Sequence, residues 1–159
     1  ARNPCFNKLT APFLLFLDDY LSPDADFCKK GFDVFKHYPL IQSFVPLVYT
    51  DEGKELASFY LKKKLIEYYP NDRSVFSITE AISAAVFFEK TYFQLTGGFD
   101  TYLFDFAKAA EDIELFLRMI QRDMTLWFVS SIQIFHDENV KNDFVRNSKT
   151  FFVFLVELL

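Results

Sequence analysis

Phe13-Leu-Leu-Phe-Leu17 is a continuous apolar run that stops at two acids, Asp18 and Asp19. A strand with one wet face alternates apolar and polar residues, whereas one that does not alternate is buried on both faces, as central strands of α/β sheets are. The run therefore predicts a central parallel strand. Pro23 and Asp24 follow it, and a helix is expected from Ala25 to about Tyr38, with Phe27, Phe32 and Phe35 set among charges. Strand, acidic loop and helix together make an α/β unit.

The rest of the chain reads in the same terms. Ile41 to Tyr49 is rich in strand formers but contains Pro46, which cannot donate a ladder bond, so an edge strand or a bulge is expected. Leu56 to Asn71, with Lys62-Lys63-Lys64 in it, is expected to be a mobile connection. Ile82 to Phe88 predicts another buried strand, and Glu89 to Leu95 a short helix closed by Gly97-Gly98. A helix is expected from about Lys108 to Arg122. Ile113, Phe116, Leu117 and Ile120 follow the helical spacing of a core-facing stripe, and Glu114 can pair with Arg118. Thr125–Val129 and Ile132–Phe135 predict two short strands, and 140–159 an increasingly apolar C-terminal helix.

The chain has 159 residues, 51% of them hydrophobic, with 22 Phe and 8 Tyr, enough to build the core of one domain over 1–159 and to exclude disorder. A net charge of −5 argues against nucleic acid as partner, because phosphate binding needs clustered Lys and Arg. Cys5 and Cys28 are spaced for neither a CxxC site nor a disulfide framework, which points to a reducing, cytoplasmic setting. The longest apolar run, Phe151 to Val156, is far short of a membrane span. Arg2 to Leu17 does not read as a signal peptide, since Pro12 interrupts it and acids stand where small cleavage-site residues belong. Ala1 in place of Met suggests processing or a longer parent.

Four features could carry chemistry. Asp18-Asp19 sits where ligands bind in open α/β sheets, beyond a strand's carboxyl end, and paired carboxylates suit a hard divalent cation. A solvated loop would look the same. Glu111-Asp112 near the start of a helix can complement the macrodipole or supply a general base. His136, also at a strand end, can ligate a metal, contact a phosphate or lie on the surface. Gly97-Gly98-Phe99-Asp100 is a turn that needs glycine for its backbone.

Their order is more telling than any one of them. Ala1-Arg-Asn3, then Phe13-Leu-Leu-Phe-Leu-Asp-Asp19, the small strand Ser83-Ala84-Ala85, Gly97-Gly-Phe-Asp100, Glu111-Asp-Ile-Glu-Leu-Phe-Leu-Arg118 and His136 resemble the catalytic half of family 2 glycosyltransferases along essentially the whole chain. That resemblance implies the GT-A fold, a Rossmann-like mixed sheet flanked by helices. It also implies N-terminal incompleteness, because the family's first β-α-β-α-β segment, which holds the nucleotide, would precede Ala1. Asp18, Asp19 and His136 would hold Mn²⁺ or Mg²⁺ against the diphosphate of a nucleotide-sugar donor. Arg2, Ser83, Ala84 and Ala85 would line the donor side, and Gly97, Gly98, Phe99 and Asp100 the acceptor side. Asp112 would take the acceptor hydroxyl proton in an inverting transfer, with Glu111 orienting it.

The implied acceptor is a saccharide or a lipid-linked saccharide, in the assembly of surface polysaccharide on the inner face of a membrane. The apolar C-terminal helix would give peripheral membrane contact, although core packing explains it as well. Tyr20 stands where the family's metal motif has a further acid, which shifts the register by one residue or weakens the metal site. Two alternatives stay open. One is an inactive, truncated relative that binds a partner and self-associates through an exposed sheet edge. The other is a haloacid-dehalogenase-like phosphatase, whose nucleophile strand also ends in acids but needs one where Tyr20 stands.

Overall fold

The computed structural model describes residues 10–18, 21–50, 67–79, 81, 84–100, 111–136 and 151–154. Its elements in chain order are β1 (Phe13–Asp18), β2 (Leu21–Ser22), α1 (Phe27–His37), β3 (Ser43–Thr50), β4 (Tyr68–Tyr69), β5 (Asp72–Ile78), β6 (Ala85–Glu89), α2 (Lys90–Thr96), α3 (Glu111–Gln121), β7 (Leu126–His136) and β8 (Phe151–Phe154). The protein is mixed α/β. One sheet runs in the order β4-β5-β7-β3-β6-β1-β8, and β2 pairs with the end of β7.

β3 and β7 are parallel, while β6 lies antiparallel between β3 and β1. β1, β3 and β7 therefore all point the same way, and their carboxyl ends, Asp18, Thr50 and His136, lie at one end of the sheet. β1 is interior, as its apolar run predicts. Its neighbours β6 and β8 are both antiparallel to it, however, so the expected parallel pairing is corrected. Burial on two faces reports that a strand is covered and leaves the direction of its neighbours open.

Alternation along the strands divides the core in two. Leu15, Leu17, Phe44, Phe87, Val129 and Ile134 face α1, where Phe27, Phe32 and Phe35 meet them. Leu14, Phe16, Val86, Phe88 and Phe128 face α2 and α3, meeting Phe93, Leu115, Phe116 and Met119. The rings of Phe44 and Phe87 stack at 4.6 Å and 4°, the kind of pair that adds about 0.5–1.5 kcal/mol beyond its buried area.

Several expectations are corrected here. β3 is not an edge strand, since it lies between β7 and β6. The alternative of a bulge holds, because the register with β7 jumps from Pro46–Val129 to Leu47–Gln133. The two short strands of 125–135 are one strand, β7, which runs through that irregularity. Within the expected connection 56–71, residues 56–66 lie outside the described residues. Tyr68–Tyr69 instead forms a hairpin with β5, turned by Asn71 at φ 67°. At Phe151–Phe154 the expected helix is replaced by β8, paired with β1. An apolar run reads equally as helix or buried strand, and an open neighbouring edge decides for strand. The rest of 140–159 lies outside the described residues.

On α3 the buried stripe is Leu115, Phe116 and Met119. The expected stripe shares only Phe116 with it, because Ile113, Leu117 and Ile120 are 43%, 51% and 37% exposed. Among the described residues, no helix is long and apolar enough to cross a membrane.

Candidate functional site

The end of the sheet where β1, β3 and β7 finish gathers several of the sequence-predicted residues. Asp18 closes β1, is buried, and donates its backbone N–H to the carbonyl of Ala84 at 2.8 Å. Ala84 and Ala85 are themselves buried on the α1 side of the core, so Ala84 meets Asp18 through its backbone. Leu21 then lies opposite His136 in the β2–β7 pairing, and Thr50 lies opposite His136 in the β3–β7 pairing. Three residues after Asp18 the chain is thus alongside the imidazole. His136 is buried, as is Thr50.

Strand parity separates these side chains by face. Asp18 follows Leu14 and Phe16 and so belongs to the α2/α3 face, whereas His136 follows Ile132 and Ile134 to the α1 face. Among the described residues no group of three or more His, Cys, Asp or Glu is arranged to hold a metal ion. Asp18 and His136 alone do not compose a cation site. Asp19, Arg2 and Ser83 lie outside the described residues. On the α1 side of this end an open pocket of about 190 Å³ is lined by Ser22, Asp24, Lys30, Tyr49 and Gln133, among others.

The second cluster lies on the α2/α3 face. α2 ends at Gly97, which is left-handed at φ 83°, and Gly98 follows at φ 79°. Side chains are strained in such a backbone, so consecutive glycines are what this turn requires. Thr96 Oγ1 donates to the Phe93 carbonyl at 2.7 Å and accepts from the Gly98 N–H at 3.1 Å. Phe99 does not line a surface; its ring packs edge-on against Phe16 at 5.1 Å and anchors the turn in the core. Gly97 is exposed and Asp100 half-buried, so the turn meets solvent at those two residues, whereas Gly98 is buried with both its N–H and its carbonyl bonded within the protein.

Arg118 ties this turn to α3. Its Nε donates to Glu114 at 2.7 Å and its Nη2 to the other carboxylate oxygen of Glu114. Nη1 donates to the carbonyls of Thr96 at 2.6 Å and Gly98 at 2.7 Å. The Glu114 carboxylate, and less strongly that of Asp100, holds the Arg118 pKa above its usual value. Arg122 adds a bond to the Leu95 carbonyl at 2.5 Å.

These contacts also orient the helix. Arg122 meets Leu95 and Arg118 meets Gly98, so passing towards the start of α3 follows α2 and its turn back along β6, towards the end where Asp18 lies. Asp112 is six residues before Arg118, about 9 Å further along the helix axis. It is half-buried, and its Oδ1 accepts the Ile113 N–H at 3.0 Å. Nothing is described of the Glu111 side chain.

The sequence shows the Glu114–Arg118 pair through its i, i+4 spacing. The two carbonyls on Arg118 were missed, because backbone acceptors twenty residues away leave no mark in residue identity. No protein-family model matches the chain, and no curated protein matches it.

Proposed function

We propose that the protein is a glycosyltransferase of the GT-A type, moving a sugar from a nucleotide-sugar donor to a saccharide or lipid-linked acceptor with inversion. The observation that carries the reading is the one sheet end at which β1 and β7 finish, at Asp18 and His136, and β6 begins after Ala84. The contacts of Arg118 and Arg122 hold α3, which bears Asp112, against α2 and its turn on the face of the sheet to which Asp18 belongs. Ligands of α/β sheets bind beyond such carboxyl ends.

In this reading Asp112 accepts the proton of the acceptor hydroxyl as that oxygen attacks the anomeric carbon, a role a carboxylate fills when it sits within hydrogen-bond reach of the hydroxyl. Glu111 orients it. The turn Gly97–Asp100 borders the acceptor, chiefly through Gly97 and Asp100, because the Phe99 ring is used in the core and the Gly98 backbone is bonded to Thr96 and Arg118. Ser83–Ala85 and Arg2 belong to the donor side. A divalent cation, Mn²⁺ or Mg²⁺, belongs to the same proposal through Asp18 and Asp19, and when bound it would neutralise charge on the leaving diphosphate. A cytoplasmic setting at the inner face of a membrane, serving surface-polysaccharide assembly, completes the proposal.

Ligand-linked stability tests the donor side, since binding to the folded state raises the melting temperature. UDP, GDP and dTDP are compared, each with Mn²⁺ and with EDTA, on the wild type and on an Asp18→Asn/Asp19→Asn double variant. The expected result is a rise with one nucleotide that needs Mn²⁺ and is absent from the variant. A folded chain that responds to none of the three would overturn the assignment of a working donor site to Asp18 and Asp19 within these 159 residues.

A further inference from the structure

Arg118 uses every nitrogen of its guanidinium. Nε and Nη2 face Glu114 on its own helix, and Nη1 bridges two carbonyls that belong to the end of α2 and to the glycine turn. An ordinary i, i+4 pair on a helix surface is exposed and contributes little. This one is four-fifths buried at the arginine, with 19% of its side chain exposed. The carbonyls it takes include those a helix end leaves without intrahelical donors, at the negative pole of the macrodipole. Charge-assisted bonds of this kind are shorter and stronger than neutral ones, and the planar fork fixes their directions.

The geometry therefore points to Arg118 as a positioning residue that makes the Gly97–Asp100 turn and the helix bearing Asp112 one rigid body. This inference rests on the glycosyltransferase reading, in which that turn borders the acceptor and Asp112 receives its proton. A slide or rotation of α3 against the turn must drop at least one of the two carbonyl bonds, so Arg118 sets the spacing between the acceptor's border and its base. Lysine carries the charge and can reach Glu114 or one carbonyl, but its single ammonium has no fork with which to span all three acceptors. Glu114→Gln leaves the Nη1 bonds to both carbonyls in place.

The test measures coupling first and transfer second. Amide hydrogen exchange is followed in the wild type, Arg118→Lys and Glu114→Gln, each checked for a cooperative melt. In Arg118→Lys the amides of Gly98, Phe99 and Phe116, the last inside α3 beyond its unpaired first turn, are expected to exchange about tenfold faster together while β6 and β7 keep wild-type protection, and Glu114→Gln should change them less. Wild-type protection at the turn in Arg118→Lys, or loosening of the turn without Phe116, would overturn the inference. Transfer is then read with UDP-glucose, GDP-mannose and dTDP-glucose as donor probes and methyl glycosides as acceptor probes. For whichever pair the wild type turns over, Arg118→Lys should raise the acceptor KM about tenfold and leave the donor KM nearly unchanged, a split that a general loss of stability does not produce. If the wild type turns over none of them while the coupled exchange is seen, the glycosyltransferase reading fails and the mechanical link stands. An equal effect on both KM values would overturn the positioning role.

Discussion

Helix α1 can lie against the sheet only because residue 31 has no side chain. A Cβ on Gly31 would stand 2.2 Å and 2.3 Å from ring atoms of Phe87, a residue that is itself fully buried and stacked on Phe44. The ring has no room to yield, so Gly31→Ala should destabilise the fold even though alanine favours helix. The overpacking cost exceeds the gain in propensity, and the net loss is expected to be about 1–2 kcal/mol in urea denaturation. Nothing in the sequence around Gly31 marks this contact, because the ring it meets is 56 positions away.

Asp72 shows a second residue-scale effect. Its carboxylate accepts from Ser74 Oγ and Tyr38 Oη, both at 2.6 Å, and from the Ser74 N–H at 2.8 Å, fastening the β4–β5 hairpin to the end of α1. The Ser74 hydroxyl first, then the Tyr38 hydroxyl, hold the Asp72 pKa below the usual carboxylate value. A lowered folded-state pKa means that the contribution is present above the unfolded value and lost as pH falls through the folded one. Chemical stability should therefore decline below about pH 4, and Asp72→Asn should flatten that decline relative to the wild type. The Tyr38 pKa is raised, chiefly by the same bond, so that contribution persists below the ordinary tyrosine value and is lost as pH rises through the raised one.

Among the elements, α3 shows where pattern reading stops. Ile113, Leu115, Phe116, Leu117, Met119 and Ile120 spread apolar side chains over more than half of the helix circumference, so helical spacing alone admits more than one buried stripe. Packing against Phe16, Phe88 and Phe93 selects Leu115, Phe116 and Met119. Leu115→Ala should cost about 2–5 kcal/mol, whereas Leu117→Ala on the exposed side should stay within about 0.5 kcal/mol. Thermal or urea unfolding of the two variants separates the stripes directly. β8 has the same origin: Phe151-Phe-Val-Phe154 is apolar without a telling period, and its state is decided by the edge of β1 that it covers. The capped helix α2 was legible throughout, because Gly97-Gly98 carries its own stop signal in the backbone it permits. The β4–β5 hairpin was not, although Pro70-Asn71 between aromatic and alternating residues is the turn chemistry that could have marked it.

At the scale of the molecule, β1, β3 and β7 point one way and finish at the same end of the sheet, with antiparallel β6 between β1 and β3. The acids at the end of an apolar run and the imidazole at the end of β7 were legible as strand ends, whereas the small residues expected inside a strand over 82–88 precede it at Ala84, because β6 begins at Ala85. Their meeting at one end depends on sheet order, which sequence does not contain. Parity adds what the motifs could not show, since Asp18 and His136 belong to opposite faces of the sheet. The placement of Asp112 rests on longer-range contacts still, those of Arg118 and Arg122 with the carbonyls of α2 and its turn.

If Asp112 is the base of the proposed transfer, replacing its carboxylate by an amide of the same shape removes the proton acceptor and leaves the fold in place. Nucleoside diphosphate release from UDP-, GDP- and dTDP-sugars, with Mn²⁺ and saccharide acceptors present, is compared between the wild type and Asp112→Asn. Release from one donor by the wild type is expected, with a fall of about 10²–10⁴-fold in Asp112→Asn and the nucleotide-dependent rise in melting temperature retained. Release that continues at the wild-type rate without the carboxylate, or a folded wild type that releases nothing from any of the three, would contradict that role for Asp112.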